Sequence, residues 1–385
     1  MHIPEEFNEI RPYTPEELPQ VIEELLADPS FRQIVTHVLP EVTAERLTVL
    51  LHSCKTNLDV QKAIFYPLLH KLISQHTDGF DMDCSSLPDR NANYTFVSNH
   101  RDIVLDPGLI SVGLLDNGFS TTVEIAIGDN LLIYPWIKKL VRVNKSFIVQ
   151  RAPGIRQMLE ASARLSRYIH FALTSKHENV WIAQREGRAK DSNDLTQESV
   201  MKMLTLGGEG TPVERLEELH IVPTALSYEY DPCDYLKAAE MQLKRDVKDY
   251  KKSQADDLLN MQTGIFGYKG RVHFQTASCI DRDVEALRDL PRNEFFSAVT
   301  RLVDRGIHAN YRLYPGNYVA CDLLSGDAKF AAHYTPQEKQ QFEEYIAKKM
   351  ACIELPVPKD EAFLHRCLLT MYANPVLNRQ KALHE

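Results

Sequence analysis

Apolar and polar positions follow two regimes along this chain. Over residues 1 to about 90, apolar residues recur at helical spacing near 20–26, 31–39 and 59–74, with Pro-Glu-Glu starts at 4–6 and 15–17. A polar, Asp-rich passage from Asp78 to Asn93 then marks a boundary. From Tyr94 onward, short apolar runs alternate with helical stretches. The expected strands are Tyr94–Ser98, Thr121–Ile127, Ser146–Gln150, Asn179–Gln184, Ile221–Glu229 and Arg271–Thr276. One strong helix lies between them, with Ile155, Met158, Leu159, Leu165, Ile169, Ala172 and Leu173 at its spacing. Residues 233–262 and those from 283 onward read as helix again, including Thr335–Met350 and Glu361–Tyr372. The pattern predicts a helical region over 1–90, an α/β domain over 91–282 and a mainly helical region over 283–385. Strands that alternate with helices predict an αβα sandwich around a mostly parallel sheet. No internal repeat and no low-complexity tract interrupts this order.

Composition narrows the function classes. The 385 residues are 44% hydrophobic and 25% charged, as in an ordinary globular protein. A formal net charge of -9 argues against general nucleic-acid binding. The cysteines, at 54, 84, 233, 279, 321, 352 and 367, are scattered and contain no Cys-x-x-Cys pair, so neither a disulfide framework nor a zinc ribbon is expected. The first residues, Met1-His2-Ile3-Pro4-Glu5-Glu6, lack the apolar core of a signal peptide. Nothing approaches the roughly 20 apolar residues of a spanning helix. A cytoplasmic chain, soluble or resting on a membrane surface, is the expectation.

The candidate chemistry sits where strands end. In a parallel sheet, loops at the carboxyl ends of strands carry the site. His100 ends the first expected strand, Arg151 the third, and Glu186 follows the fourth, so three polar residues can meet at one pocket. His100 is followed by Asp102 and Asp106. A carboxylate at that distance can orient an imidazole as a general base and stabilise its cation. No Ser or Cys nucleophile signature accompanies it. Direct acyl transfer to a hydroxyl is therefore expected rather than an acyl-enzyme.

Four segments in this order resemble the glycerolphosphate and lysophosphatidate acyltransferase family, over roughly residues 94–230. The first is Asn99-His100-Arg101-Asp102-Ile103-Val104-Leu105-Asp106-Pro107, which has one residue more between histidine and aspartate than the family's His-x4-Asp. Either Asp106 reaches the ring across that extra position or Asp102 replaces it. The Pro-Gly that follows favours Asp106. The second is Lys145-Ser146-Phe147-Ile148-Val149-Gln150-Arg151, with Lys145 at the family's usual glycine and Arg151 at its phosphate-binding arginine. The third is Gln184-Arg185-Glu186-Gly187-Arg188-Ala189-Lys190, with its arginine one place early. The fourth is Ile221-Val222-Pro223-Thr224-Ala225-Leu226.

The resemblance implies an acyltransferase-type αβα fold and an O-acyltransferase of phospholipid biosynthesis. His100, with Asp106, deprotonates the acceptor hydroxyl, which attacks an acyl thioester carried by coenzyme A or acyl carrier protein. Arg151 holds the acceptor's phosphate with Arg188, Lys190 and Lys145, an arginine fork being well suited to phosphate oxygens. Glu186 orients Arg151 or the acceptor, and Gly187 lets the backbone pass close to a ligand. Backbone N–H groups near the helix after His100, or in the Glu186-Gly187 loop, are the expected oxyanion donors. No metal or other cofactor is called for, since the thioester is already activated. The implied acceptor is 1-acyl-glycerol 3-phosphate, met at the inner face of the membrane. Glycerol 3-phosphate, a lyso-aminolipid and a non-catalytic lipid-binding role stand as alternatives.

Other segments bear on the picture less. His100-Arg101-Asp102 also opens a kinase catalytic loop, but Pro107 stands where that loop needs Asn, and no Gly-rich nucleotide loop precedes it. Gly207-Gly208-Glu209-Gly210 follows a helix rather than a strand and reads as a helix end with its loop. Leu131–Lys139 reads equally as an interfacial anchor or as a core helix, and Ala63–Leu69 is a weaker candidate of the same kind. Lys244, Arg245, Lys248, Lys251 and Lys252 offer a surface for an acidic carrier protein. Interleaved Asp246 and Asp249 favour a plain solvated face.

Overall fold

A computed structural model describes residues 2–38, 42–132, 134–151 and 154–384. The described strands form one seven-stranded sheet in the order β1 (Phe80–Asp83), β7 (Val272–Thr276), β6 (Ile221–Tyr228), β2 (Thr95–Ser98), β5 (Asn179–Ala183), β3 (Val123–Gly128) and β4 (Ser146–Val149). All neighbours are parallel except β6 and β7. The chain is therefore α/β with a mostly parallel sheet, and β2 to β6 share one carboxyl edge. The strand β1 was not expected. Its Phe-Asp-Met-Asp sequence carries two carboxylates in four residues and falls within the passage read as a boundary.

Strand β2 sits at the centre of the sheet, between β5 and β6, and all four of its residues are buried. Burial on both faces explains why it reads as a continuous apolar run rather than an alternation. Val97 and Ile182 point to one face, where they pack with helices Ile155–Thr174, Glu198–Leu204 and Arg292–Ala309. Phe96 and Trp181 point to the other, against helices Tyr66–His76 and Leu105–Asp116. His100 is thus two residues beyond the end of a strand fixed from both sides.

Two further clusters flank the sheet. Near the amino terminus, Leu18, Ile22, Leu25, Leu47 and Leu51 pack together with Val143. Trp136 and Leu140 lie against that cluster, and the Phe31 and Trp136 rings are 6.3 Å apart. Within Leu131–Lys139, Trp136 therefore faces the core from helix Pro135–Val143 and Leu132 packs on the main cluster, while Tyr134 is exposed. Ile133, and Leu39 of the expected helix over 31–39, lie outside the described residues. Ala63, Ile64 and Phe65 pack on the same cluster, while Leu68 and Leu69 reach the sheet. Helices Asp234–Asp246, Pro315–Ser325, Pro336–Cys352 and Glu361–His384 build the other cluster. The basic stretch begins on the first of these, where Lys244 pairs with Glu240 at 2.8 Å and Arg245 with Asp360 at 2.9 Å.

Candidate active site

Beyond β2 the chain makes a turn and enters helix Leu105–Asp116, so Asp106 is that helix's second residue. Its position near the positive end of the helix suits a carboxylate. His100 Nδ1 lies 2.8 Å from Asp106 Oδ2, and the same oxygen accepts the backbone N–H groups of Arg101 at 2.7 Å and Asp102 at 2.9 Å. Asp106 is fully buried, while the His100 side chain keeps 14% of its surface open. An ionised carboxylate only accepts, so Nδ1 carries the ring proton and the Nε2 lone pair is left for a substrate. Among the described residues Nε2 has no hydrogen-bond partner.

Asp102 has a different task. Its Oδ1 accepts the N–H groups of Val104 at 2.8 Å and Leu105 at 2.7 Å, capping the start of the helix. Burial, with neighbouring Asp106 next, pushes the Asp102 carboxyl above the usual carboxylate range. Gly264 of helix Gln254–Phe266 lies so close to Asp102 Oδ2 that a side chain there would collide with it. The N–H groups at 101, 102, 104 and 105 are thus committed to the two aspartates, and that of Glu186 to Gln197 Oε1 at 2.8 Å. These N–H groups, several of them among the expected oxyanion donors, are therefore taken.

Several residues that sequence reading passed over hold the loop. The Tyr228 hydroxyl donates to Asp106 Oδ1 at 2.9 Å from the end of β6. Period-two alternation was the available signal, since Val222, Leu226 and Tyr228 fall on the face that holds Phe96 and Trp181. The Trp181 ring meets His100 edge to face at 5.6 Å, and its Nε1 donates to Ser98 Oγ at 2.9 Å. Asn99 exchanges two hydrogen bonds with the Leu226 backbone, at 3.0 and 2.8 Å. Arg101 is buried and pairs with Asp194 at 2.7 Å, an oxygen that also accepts the Tyr311 hydroxyl at 2.9 Å. A small cavity lined by Arg101, Tyr228, Asp231, Tyr311 and Tyr372 lies on that side; His100 does not line it.

The expected anion-binding residues separate into three groups. Arg151 and Glu186 meet at 3.0 Å with both side chains exposed, at the carboxyl edge that also carries His100. Gly187 beside them holds φ +66, the left-handed region glycine enters freely, with open space around it. Arg188 turns inward instead. It is buried, donates to Asn260 Oδ1 at 2.9 Å and lies near Asp102, and its Nη1 has no partner among the described residues. Lys190 pairs with Glu240 at 2.7 Å.

Lys145 must be reassigned. It precedes β4 at φ +57, in the left-handed region that glycine enters most readily. Its ammonium is buried against Glu178 at 2.6 Å and Thr121 at 2.8 Å, residues that precede β5 and β3. This is the amino edge of the sheet, away from His100. Lys145 is a structural ion pair there and cannot reach an acceptor held by Arg151.

A covalent route through the nearby side chains is disfavoured by the same geometry. Ser98 Oγ is buried between the Trp181 N–H and the Asn99 carbonyl oxygen. Burial pushes the thiol of Cys233, which lies near Arg188 and Asp102, up to about 11. Thiols so protonated are poor nucleophiles.

No family model matches the sequence, nor does any curated protein. Among solved structures, the chain is similar to the crystal structure of the 1-acyl-sn-glycerophosphate (LPA) acyltransferase PlsC from Thermotoga maritima. The identity is 12% and the TM-score 0.32, over 71% of this chain and 93% of that one, too slight a likeness to carry a function across.

Proposed function

We propose that this chain is an O-acyltransferase that moves a fatty acyl group from a thioester to the hydroxyl of 1-acyl-glycerol 3-phosphate. The observation that carries the reading is the His100–Asp106 pair, with Nδ1 held at 2.8 Å and Nε2 unpartnered among the described residues. Nε2 takes the proton of the acceptor hydroxyl as its oxygen bonds to the acyl carbon. Collapse of the tetrahedral species breaks the carbon–sulfur bond, and His100 returns the proton to the departing thiolate of coenzyme A or acyl carrier protein. Asp106 stabilises the imidazolium between those steps. Arg151 would turn from Glu186 to the acceptor's phosphate, an exchange that costs little because both partners are exposed.

A lipid acceptor would be met at a membrane surface, at its inner face. Ile155, Met158 and Leu159 support this: they are exposed on the first turns of the helix after β4, at the edge that carries His100. No helix among the described residues is long and apolar enough to cross a membrane. The test is transfer from a labelled acyl thioester to 1-acyl-glycerol 3-phosphate, with glycerol 3-phosphate and a lyso-aminolipid as parallel arms. Transfer to the first, lost in His100→Ala, supports the proposal. Transfer to another acceptor alone moves the substrate assignment, and transfer to none removes the enzyme reading in favour of a lipid-binding role.

A further inference from the structure

Three potential metal ligands of three kinds meet at the opposite edge of the sheet. His220 is the last residue before β6, while Cys279 and Asp281 lie just beyond β7. Because β6 and β7 run antiparallel, the start of one lies beside the end of the other. Ala277 N–H bonds the Pro223 carbonyl at 2.8 Å and Ile280 N–H that of Ile221 at 3.0 Å. His220 Nδ1 is 2.6 Å from Asp281 Oδ2. One ligand atom from each of His220, Cys279 and Asp281 lies within 4.8 Å of the others.

Two details exceed what a His–Asp ion pair requires. His220 holds φ +43, a left-handed conformation that is strained for any residue with a side chain. Asp281 Oδ1 is buried with no partner among the described residues. Glu218 adds negative potential at His220, and Glu217 lies close to Asp281. Arg288, which lies near Glu217, is committed to Glu285 at 2.5 Å.

We propose that His220, Cys279 and Asp281 bind one divalent cation of the zinc type, with water as fourth ligand. One imidazole, one thiolate and one carboxylate match the preferences of a borderline-soft ion and suit calcium or magnesium poorly. Tetrahedral bonds of about 2.0–2.3 Å place ligand atoms roughly 3.3–3.7 Å apart, so the His220 and Asp281 atoms, now 2.6 Å apart, must open around the cation, a movement the exposed His220 side chain can supply. The cation clamps the start of β6 to the segment behind β7 and holds His220 in its left-handed conformation. It lies at the sheet edge away from His100, so it stands independently of the acyl-transfer reading.

The test uses the full, metal-stripped chain titrated with Co2+ under reducing conditions. The expected result is one equivalent bound, with a thiolate-to-cobalt charge-transfer band and intense visible bands of four-coordination, both displaced by Zn2+. Cys279→Ser should abolish the charge-transfer band, and His220→Gln and Asp281→Asn should each weaken binding at least tenfold. Zn2+ should raise the melting temperature of the unaltered chain and leave Cys279→Ser unmoved. His220→Gln changes an exposed side chain, so it keeps the test valid if Cys279→Ser fails to fold. Absence of the band, or a band unchanged in either variant, overturns the proposal.

Discussion

The Tyr228 hydroxyl donates to Oδ1 of Asp106 at 2.9 Å, on the carboxylate oxygen that His100 does not use. The tyrosine fixes the rotation of the carboxylate, and through it the plane of the imidazole. Tyr228→Phe leaves Oδ1 buried without that donor. It should lower unfolding stability by about 1–3 kcal/mol. As a positioning residue, Tyr228 should affect turnover more than the acceptor's KM. A loss confined to stability, with turnover per folded molecule unchanged, would contradict that role.

Asp102 and Asp106 are separable by the quantity each controls. Asp106→Asn disturbs the acceptor of the His100 Nδ1 proton and should cut turnover by about 10²-fold or more. Asp102→Ala removes the cap on Val104 and Leu105 and should cost about 1–2 kcal/mol of stability. Turnover of the folded fraction should fall far less. Steady-state kinetics with denaturant unfolding of both variants checks the pair, and a reversed pattern would assign the ring's partner to Asp102.

Among the described residues Arg151 is held by exposed contacts, its side chain by Glu186 at 3.0 Å and its N–H by Asp129 at 3.0 Å. Arg151→Ala should raise the acceptor's KM by about tenfold or more, the loss of a charge-assisted bond, while the donor's KM stays nearly constant. Glu186→Gln should leave the acceptor's KM unchanged or lower it, because the guanidinium no longer has to leave a partner. Equal changes for donor and acceptor in Arg151→Ala would count against an anion clamp.

Lys269 supplies a pH signature. Burial holds its ammonium down to about 8, against an ordinary 10.5 in the unfolded chain. Between those values the unfolded state binds the additional proton, so stability contributed at this position rises as pH climbs through the window. Lys269→Met should therefore gain relative to the unaltered chain at neutral pH, with the gain shrinking by as much as ~2–3 kcal/mol toward pH ~10. Urea unfolding of both proteins across that range measures it, and a difference that does not vary with pH would contradict a buried, depressed ammonium.

The strands flanking the site were legible because both of their faces are buried. Phe96 and Val97 read as strand from either face, and the six expected strands appear within about two residues of their expected bounds. Strand β1 was hidden because Asp81 and Asp83 break its apolar pattern. His100 and Asp106 could be paired on paper, yet the choice between Asp106 and Asp102 depended on where the helix begins. Capping of Val104 and Leu105 by Asp102 settles that start. Lys145 misled for a reason of conformation: its position in the motif suggested a ligand, whereas its positive φ sends the side chain under the amino edge to Glu178. Tyr228 and Gly264 reach the site from 122 residues beyond Asp106 and from a separate helix, distances in sequence that local pattern does not span.

The most direct test of the central claim compares the unaltered chain with His100→Ala in transfer of a labelled acyl group from a thioester to 1-acyl-glycerol 3-phosphate. The account predicts product from the former and a loss of about 10²-fold or more in the variant, with its circular dichroism and thermal unfolding preserved. Undiminished transfer by a folded His100→Ala protein would contradict it.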